Sequence, residues 1–178
     1  MLSGTVINEG ATMEDDVLAI VAPSPVRRAL GVGMFFGLGV LLVVIALGQN
    51  FGGFGWQAFT LLCGAGALAL GEKMRRATRN HVILRPEGLF DAQGREIARL
   101  DTIARVERGV FAFKPSNGFT IVTKVPQGAN AWAPGLWWRL GRRIGIGGVT
   151  PSGQAKFMAE MIAELLVIRP GTEPEPRP

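Results

Sequence analysis

Charged residues vanish from the first half of the chain over two long stretches. Ala29 to Gly48 is an uncharged run of twenty residues, ALGVGMFFGLGVLLVVIALG. As a helix rising 1.5 Å per residue it reaches about 30 Å, the thickness of a hydrocarbon core. A second uncharged stretch extends from Phe51 to Gly71, its reliably apolar part starting near Trp56, so the pattern predicts helices over 29–48 and 55–71. Only Gln49 and Asn50 separate the runs at their widest, which forces an antiparallel hairpin. Gly52, Gly53 and Gly55 supply its turn, and Phe51, Phe54 and Trp56 suit a membrane interface.

After Arg79 the texture changes to short alternating runs broken by turn residues. His81–Leu84 predicts a strand. Leu89–Asp91 and Arg95–Ala98 flank Ala92-Gln93-Gly94 as a hairpin, and Leu100–Ile103 makes a corner. Ala104 to Phe113 alternates in part, with Val106, Val110, Phe111 and Phe113 apolar. Pro115–Gly118 is a turn, and Phe119, Ile121, Thr123 and Val125 share one face of the next strand. A loop is expected over Pro126–Gly135 and a further strand over Arg142–Ile146. Thr150 as N-cap and Pro151 at the first position start a helix whose Met158, Met161, Ile162 and Leu165 line one face. Arg169-Pro170-Gly171 ends it, and the proline-rich remainder reads as a flexible tail. The expected organisation is an acidic segment 1–26, a transmembrane hairpin 27–79, a domain 80–168 and a tail 169–178. The fold class is α+β: several antiparallel strands closed by one C-terminal helix.

Composition agrees with this division. Of 178 residues 48% are hydrophobic and 19% charged, against about 25% charged in soluble domains. The net charge of +5 is unevenly placed. Residues 1–26 carry Glu9, Glu14, Asp15 and Asp16 and no base. Arg27 and Arg28 precede the first apolar run, Lys73, Arg75, Arg76 and Arg79 follow the second, and the loop between them is uncharged. By the positive-inside rule both termini face the cytoplasm, in a multi-pass protein of the bacterial inner membrane. A cleaved signal peptide ending at Ala46-Leu47-Gly48 fits poorly, because the segment before the run is long and acidic. The basic excess flanks the helices and extends into the domain, where it favours anionic lipid. No helix-turn-helix or finger spacing accompanies it, and nucleic acid is not an expected partner.

The residues LRPEGLFDAQGREIA, LDTIARVE, RRIGIGG and PSGQAKFMAEMIAEL, together with the hairpin, resemble bacterial PH-like domains anchored by a transmembrane helical hairpin. The resemblance covers roughly residues 81–168. It implies a PH-like antiparallel β-barrel or split sheet capped by a C-terminal helix, no enzyme activity, and a role as a membrane-tethered interaction or assembly module. Lipid-headgroup binding carried over from more distant relatives would be analogy alone.

Candidate chemistry is sparse. His81 is the sole histidine and Cys63 the sole cysteine, the latter inside the second apolar run, where a thiolate is costly. Serines lack a nucleophile-elbow context, and Asp15-Asp16 reads as a solvated patch. Gly145-Ile146-Gly147-Gly148 lacks the lysine and spacing of a phosphate loop. No cofactor, metal or catalytic residue is expected.

Two features point to binding. Gly33 and Gly37 have GxxxG spacing, extended by Gly31 and Gly39 and answered by Gly64 and Gly66 on the second helix. Such residues let helices approach closely, either within the hairpin or against another membrane protein or a second copy of the chain. The second feature is Trp132 to Arg143, which holds three of the four tryptophans and three arginines in twelve residues. Trp132, Leu136, Trp137, Trp138, Arg139, Arg142 and Arg143 form a candidate contact with membrane lipid or a partner; the alternative is that some of the rings fill the core.

The leading expectation is a non-enzymatic scaffold, assembly factor or accessory subunit of a larger membrane complex. Sensing of anionic lipid or a small anion through Arg139, Arg142 and Arg143 is the second. An enzyme centred on His81 or Asp101 is the third.

Overall fold

The structure is a computed structural model that describes residues 17–49, 53–108 and 115–168. The apolar runs form α1 (Pro25–Gly48) and α2 (Phe54–Ala77), packed antiparallel. Pro25 stands at the first turn of α1, where its missing N–H costs nothing, after an extended Ser24. α2 runs six residues past the predicted end. Glu72 bonds Arg75 at 2.6 Å and Arg76 at 2.6 Å, and these i,i+3 and i,i+4 pairs carry the helix beyond its apolar part.

The described residues also form nine strands: β1 (Ala19–Val21), β2 (Val82–Arg85), β3 (Gly88–Asp91), β4 (Glu96–Arg99), β5 (Ile103–Glu107), β6 (Phe119–Thr123), β7 (Ala131–Ala133), β8 (Trp137–Leu140) and β9 (Arg143–Ile146). They make two antiparallel sheets, ordered β1-β2-β3-β4 and β5-β6-β9-β8-β7, which do not close into a barrel. A short 3₁₀ turn, Leu100–Thr102, forms the expected corner between them. The helix α3 (Ser152–Ile168) packs on β1, β5 and β6, bridging the two sheets. Ala19, Val21, Val82, Leu84 and Leu89 from the first sheet meet Phe119, Ile121, Ile144 and Ile146 from the second. Met158 and Ile162 of α3 complete this core.

The strand β1 falls inside what the sequence reading treats as an acidic leader. It pairs with β2 in the register Ala19↔Leu84, Ile20↔Ile83, Val21↔Val82. The helical hairpin is therefore an insertion between two neighbouring strands. Its two ends leave the sheet one strand spacing apart, about 4.8 Å.

Other expectations need correction. β6 is buried at all five residues, so no single face is solvated, and Val125 lies past its end, 53% exposed. The expected loop Pro126–Gly135 contains β7. α3 begins at Ser152, and Thr150 is not its side-chain cap, because its buried hydroxyl has no hydrogen-bond partner. Val110, Phe111 and Phe113, the acidic residues Glu9 to Asp16 and the tail 169–178 lie outside the described residues.

The helix seam uses only some of the small residues. A Cβ added at Gly39 would meet Leu68 Cγ at 2.6 Å, and one at Gly64 would meet Val43 Cγ2 at 3.0 Å. Gly31 faces Met74, and Gly71, which the sequence reading passed over, faces Phe35 and Phe36. Gly33, Gly37 and Gly66 have nothing within 4 Å. Residues two apart on a helix point about 200° apart, so Gly33 and Gly37 lie on the face opposite Gly31 and Gly39. The GxxxG pair faces outward, away from α2. Replacing Gly39 by leucine should therefore cost about 1–3 kcal/mol by overpacking, read as a lower thermal midpoint in detergent, whereas Gly37→Leu should leave the midpoint unchanged.

Candidate functional site

The helical hairpin and the domain meet at a junction built on Met74. Its side chain, 7% exposed, sits where a Cβ on Gly31 would be 2.7 Å, and one on Gly135 3.0 Å, from its Cε. Gly135 has φ of +79°, a conformation glycine adopts freely, and it turns the chain between β7 and β8. Thr78 and Val149 complete the walls of this slot. The Thr78 hydroxyl donates to Met74 O at 2.7 Å, closing the last turn of α2. Ser24 N donates to Val149 O at 2.8 Å, Val149 N to Gly135 O at 3.0 Å, and Arg27 Nη1 to Thr150 O at 3.1 Å. Both ends of the hairpin are thus tied to the loops around Gly135 and Val149. Arg27, a residue expected to set topology, also serves this junction.

Beside the junction, β7 and β8 form a β-hairpin with Trp132 opposite Trp138 and Ala133 opposite Trp137. Adjacent residues of a strand point to opposite faces, and this separates the tryptophans. Trp137 lies in the row of Phe119 and Ile146 and packs against the core. Trp138 lies on the outer face, its indole covering Gly145 so closely that any Cβ there would collide with it. Trp132 shares that outer face and is 53% exposed. Lys73 Nζ stands 4.7 Å from the centroid of the Trp132 ring, a cation–π contact. Lys73 is only the second residue after Gly71, the end of the uncharged run, so Trp132 sits level with the polar end of α2. A cavity of about 530 Å³ opens here between Lys73, Trp132, Trp138, Arg139 and Leu140.

The remaining members of the expected contact serve other ends. Leu136 is fully buried in the core and cannot touch a membrane or partner. Arg139 donates from Nη1 to Ile97 O and from Nε to Ala129 O, each at 3.0 Å, stapling β4 to the β7–β8 hairpin. Arg142 donates to Thr123 O at 2.9 Å. Arg143 is exposed on β9. Leu140, 61% exposed, was missed, as was Lys73 as a partner of Trp132 rather than a topology signal alone. Among the basic flank, Arg75 and Arg76 share Glu72, and Arg28 and Arg79 make no ion pair with any described residue.

Polar groups elsewhere are paired structurally. Asp91, 2% exposed, accepts from Gln93 N, Arg95 N and Arg95 Nε and so shapes the β3–β4 turn. Asp101 pairs with Arg99 at 2.9 Å at the surface, and His81 is half-buried before β2. A smaller cavity of about 220 Å³ lies between Arg95, Glu96, Trp132, Trp137 and Arg139. Among the described residues no three His, Cys, Asp or Glu side chains gather in one place.

The slot makes a definite demand on residue 74. Met74→Ala should destabilise the full chain by about 2–5 kcal/mol and Met74→Leu by less than about 1.5 kcal/mol, measured as thermal midpoints in detergent. Comparison of the chain with known protein families, with curated proteins and with solved structures finds no match, so its role is argued from this geometry.

Proposed function

We propose that this chain is a non-enzymatic membrane-anchored scaffold. The helical hairpin crosses the bacterial inner membrane with both ends cytoplasmic. It holds a PH-like module in one pose at the cytoplasmic face, where the module assembles or stabilises another membrane protein or complex. The carrying observation is the junction around Met74 and the β1–β2 pair, which leave no free linker between hairpin and domain. A flexible tether suffices to concentrate a module at a membrane; a fixed pose is what a scaffold needs to present one surface to a partner.

The anchor reading rests on surface and charge. Both helices have 24 residues, with mean hydropathy of 2.7 and 1.3 in their most apolar windows, and only 11% of each window is buried. A core helix of a soluble domain would be mostly covered. A cleaved signal is disfavoured because cleavage after α1 would remove β1 from its sheet. Two antiparallel sheets with a C-terminal helix support the PH-like reading.

A second reading is favoured by one contact. In it the β7–β8 face rests on anionic lipid, a reading supported by the Lys73–Trp132 pair, a cation beside an aromatic ring next to the polar end of α2.

Impermeant maleimide labelling in a Cys63→Ala background tests the topology. Gly55→Cys should react in intact spheroplasts and Arg143→Cys only after permeabilisation; the reverse pattern would defeat the proposal. Purification in mild detergent at native expression then tests the scaffold role. A stoichiometric membrane-protein partner, lost on Trp132→Ala with Leu140→Ala, supports it; a strictly monomeric, partnerless chain contradicts it.

A further inference from the structure

On the side of the hairpin away from Lys73 lies another cavity. Lys73 and Arg75 are two residues apart on α2 and therefore point in opposite directions. Arg75 lines an open groove of about 420 Å³ with Pro25, Arg28, Ala29, Val32 and Gly33. The groove straddles the boundary between charged and uncharged sequence on both helices. Its upper wall is cationic: Arg28 and Arg75 both line it, Arg28 makes no ion pair with any described residue, and Arg75 shares the one carboxylate of Glu72 with Arg76. Arg75 is held in place by two hydrogen bonds to Glu72, from Nε at 2.6 Å and Nη2 at 2.8 Å. Its lower wall is apolar and flat, because Gly33 has no side chain and nothing stands within 4 Å of where one would be.

We propose that this groove binds one anionic phospholipid of the inner leaflet. Arg28 and Arg75 take the phosphodiester, and the first part of an acyl chain lies over Ala29, Val32 and Gly33. The inference rests on the hairpin being a membrane anchor. Charge complementarity selects the headgroup: Arg28, Arg75 and Arg76 outnumber the single carboxylate of Glu72, and the cationic excess favours an anionic lipid over a zwitterionic one. The missing side chain at Gly33 gives the chain its path. Gly33 thereby acquires a role that packing against α2 does not give it.

The full chain, purified in detergent, is titrated with phosphatidylglycerol or with phosphatidylcholine of the same acyl chains, and bound lipid is counted by native mass spectrometry. One phosphatidylglycerol should be retained in preference to phosphatidylcholine. Arg28→Gln should weaken its retention about fivefold, whereas Arg143→Gln, the same loss of charge on a distant strand, should not. Gly33→Leu should weaken retention with charge unchanged, and the fold should tolerate it because a Cβ at this exposed position has nothing within 4 Å. Equal losses from Arg28→Gln and Arg143→Gln, or no loss from Gly33→Leu, would overturn the proposal. Displacement of the lipid by millimolar inorganic phosphate would also overturn it and assign the arginines to a free anion. Membrane fractions washed with carbonate distinguish failure of the anchor from failure of the lipid site. A chain extracted by the wash refutes the anchor itself, while a retained chain without phosphatidylglycerol preference refutes only the lipid site.

Discussion

Pairing between β1 and β2 is the constraint from which the rest of the architecture follows. Three residues before α1 lie beside three residues after α2, in the register Ala19↔Leu84 to Val21↔Val82. That pairing turns a sixty-residue excursion into a loop closed at its base. It also makes the helical hairpin an extension of the sheet rather than a separate anchor on a string. The side chains of Ala19 and Val21 are buried in the same core as Met158 and Ile162 of α3, so any movement of the hairpin base disturbs the packing of the whole domain. Met74, held between Gly31, Gly135 and Val149, adds a second fixed point on the other helix. Two attachments at different places suppress rocking far better than one.

The β7–β8 hairpin shows how a single short segment meets several demands. Strand alternation sends Trp137 to the core and Trp132 with Trp138 to the outer face. Arg139 leaves the expected contact surface to join the two sheets through backbone carbonyls. What remains outside is Trp132, Trp138 and Leu140, next to Lys73. The same turn that carries Gly135 onto Met74 thus sets the height of this aromatic face against the hairpin. A fixed pose and a defined outer face are two consequences of one junction, and they are what make a scaffold the better reading than a loosely tethered module.

Large-scale organisation was legible in the sequence because it depends on long uncharged runs and on turn chemistry. The two helices, the β3–β4 hairpin around Asp91 and Gly94, and the buried face of α3 all follow from local pattern. β1 was not legible. Three residues are too few to display alternation, and their partner lies beyond the entire helical hairpin. The glycines show a different limit. GxxxG spacing marks a smooth face at Gly33 and Gly37, yet α2 packs on Gly39 and Gly31 instead. Only the positions of Leu68 and Met74 decide which smooth face is used. Adjacent Trp137 and Trp138 posed the same problem, since a strand sends one ring each way and the sequence does not say which side is the core. Thr150 had the residue type and place of a cap, but its carbonyl is engaged by Arg27 and its hydroxyl is buried without a partner.

Hairpin and domain, joined at β1–β2 and at Met74, should move as one body. Spin labels at Gly37→Cys on the outer face of α1 and Arg143→Cys on β9, in a full-length Cys63→Ala chain reconstituted in lipid, measure it by pulsed electron–electron double resonance. Both positions are exposed, and Gly37 has no neighbour within 4 Å. A single narrow distance distribution is the expected result. A broad or multimodal distribution would show a domain swinging on its anchor and would contradict the account.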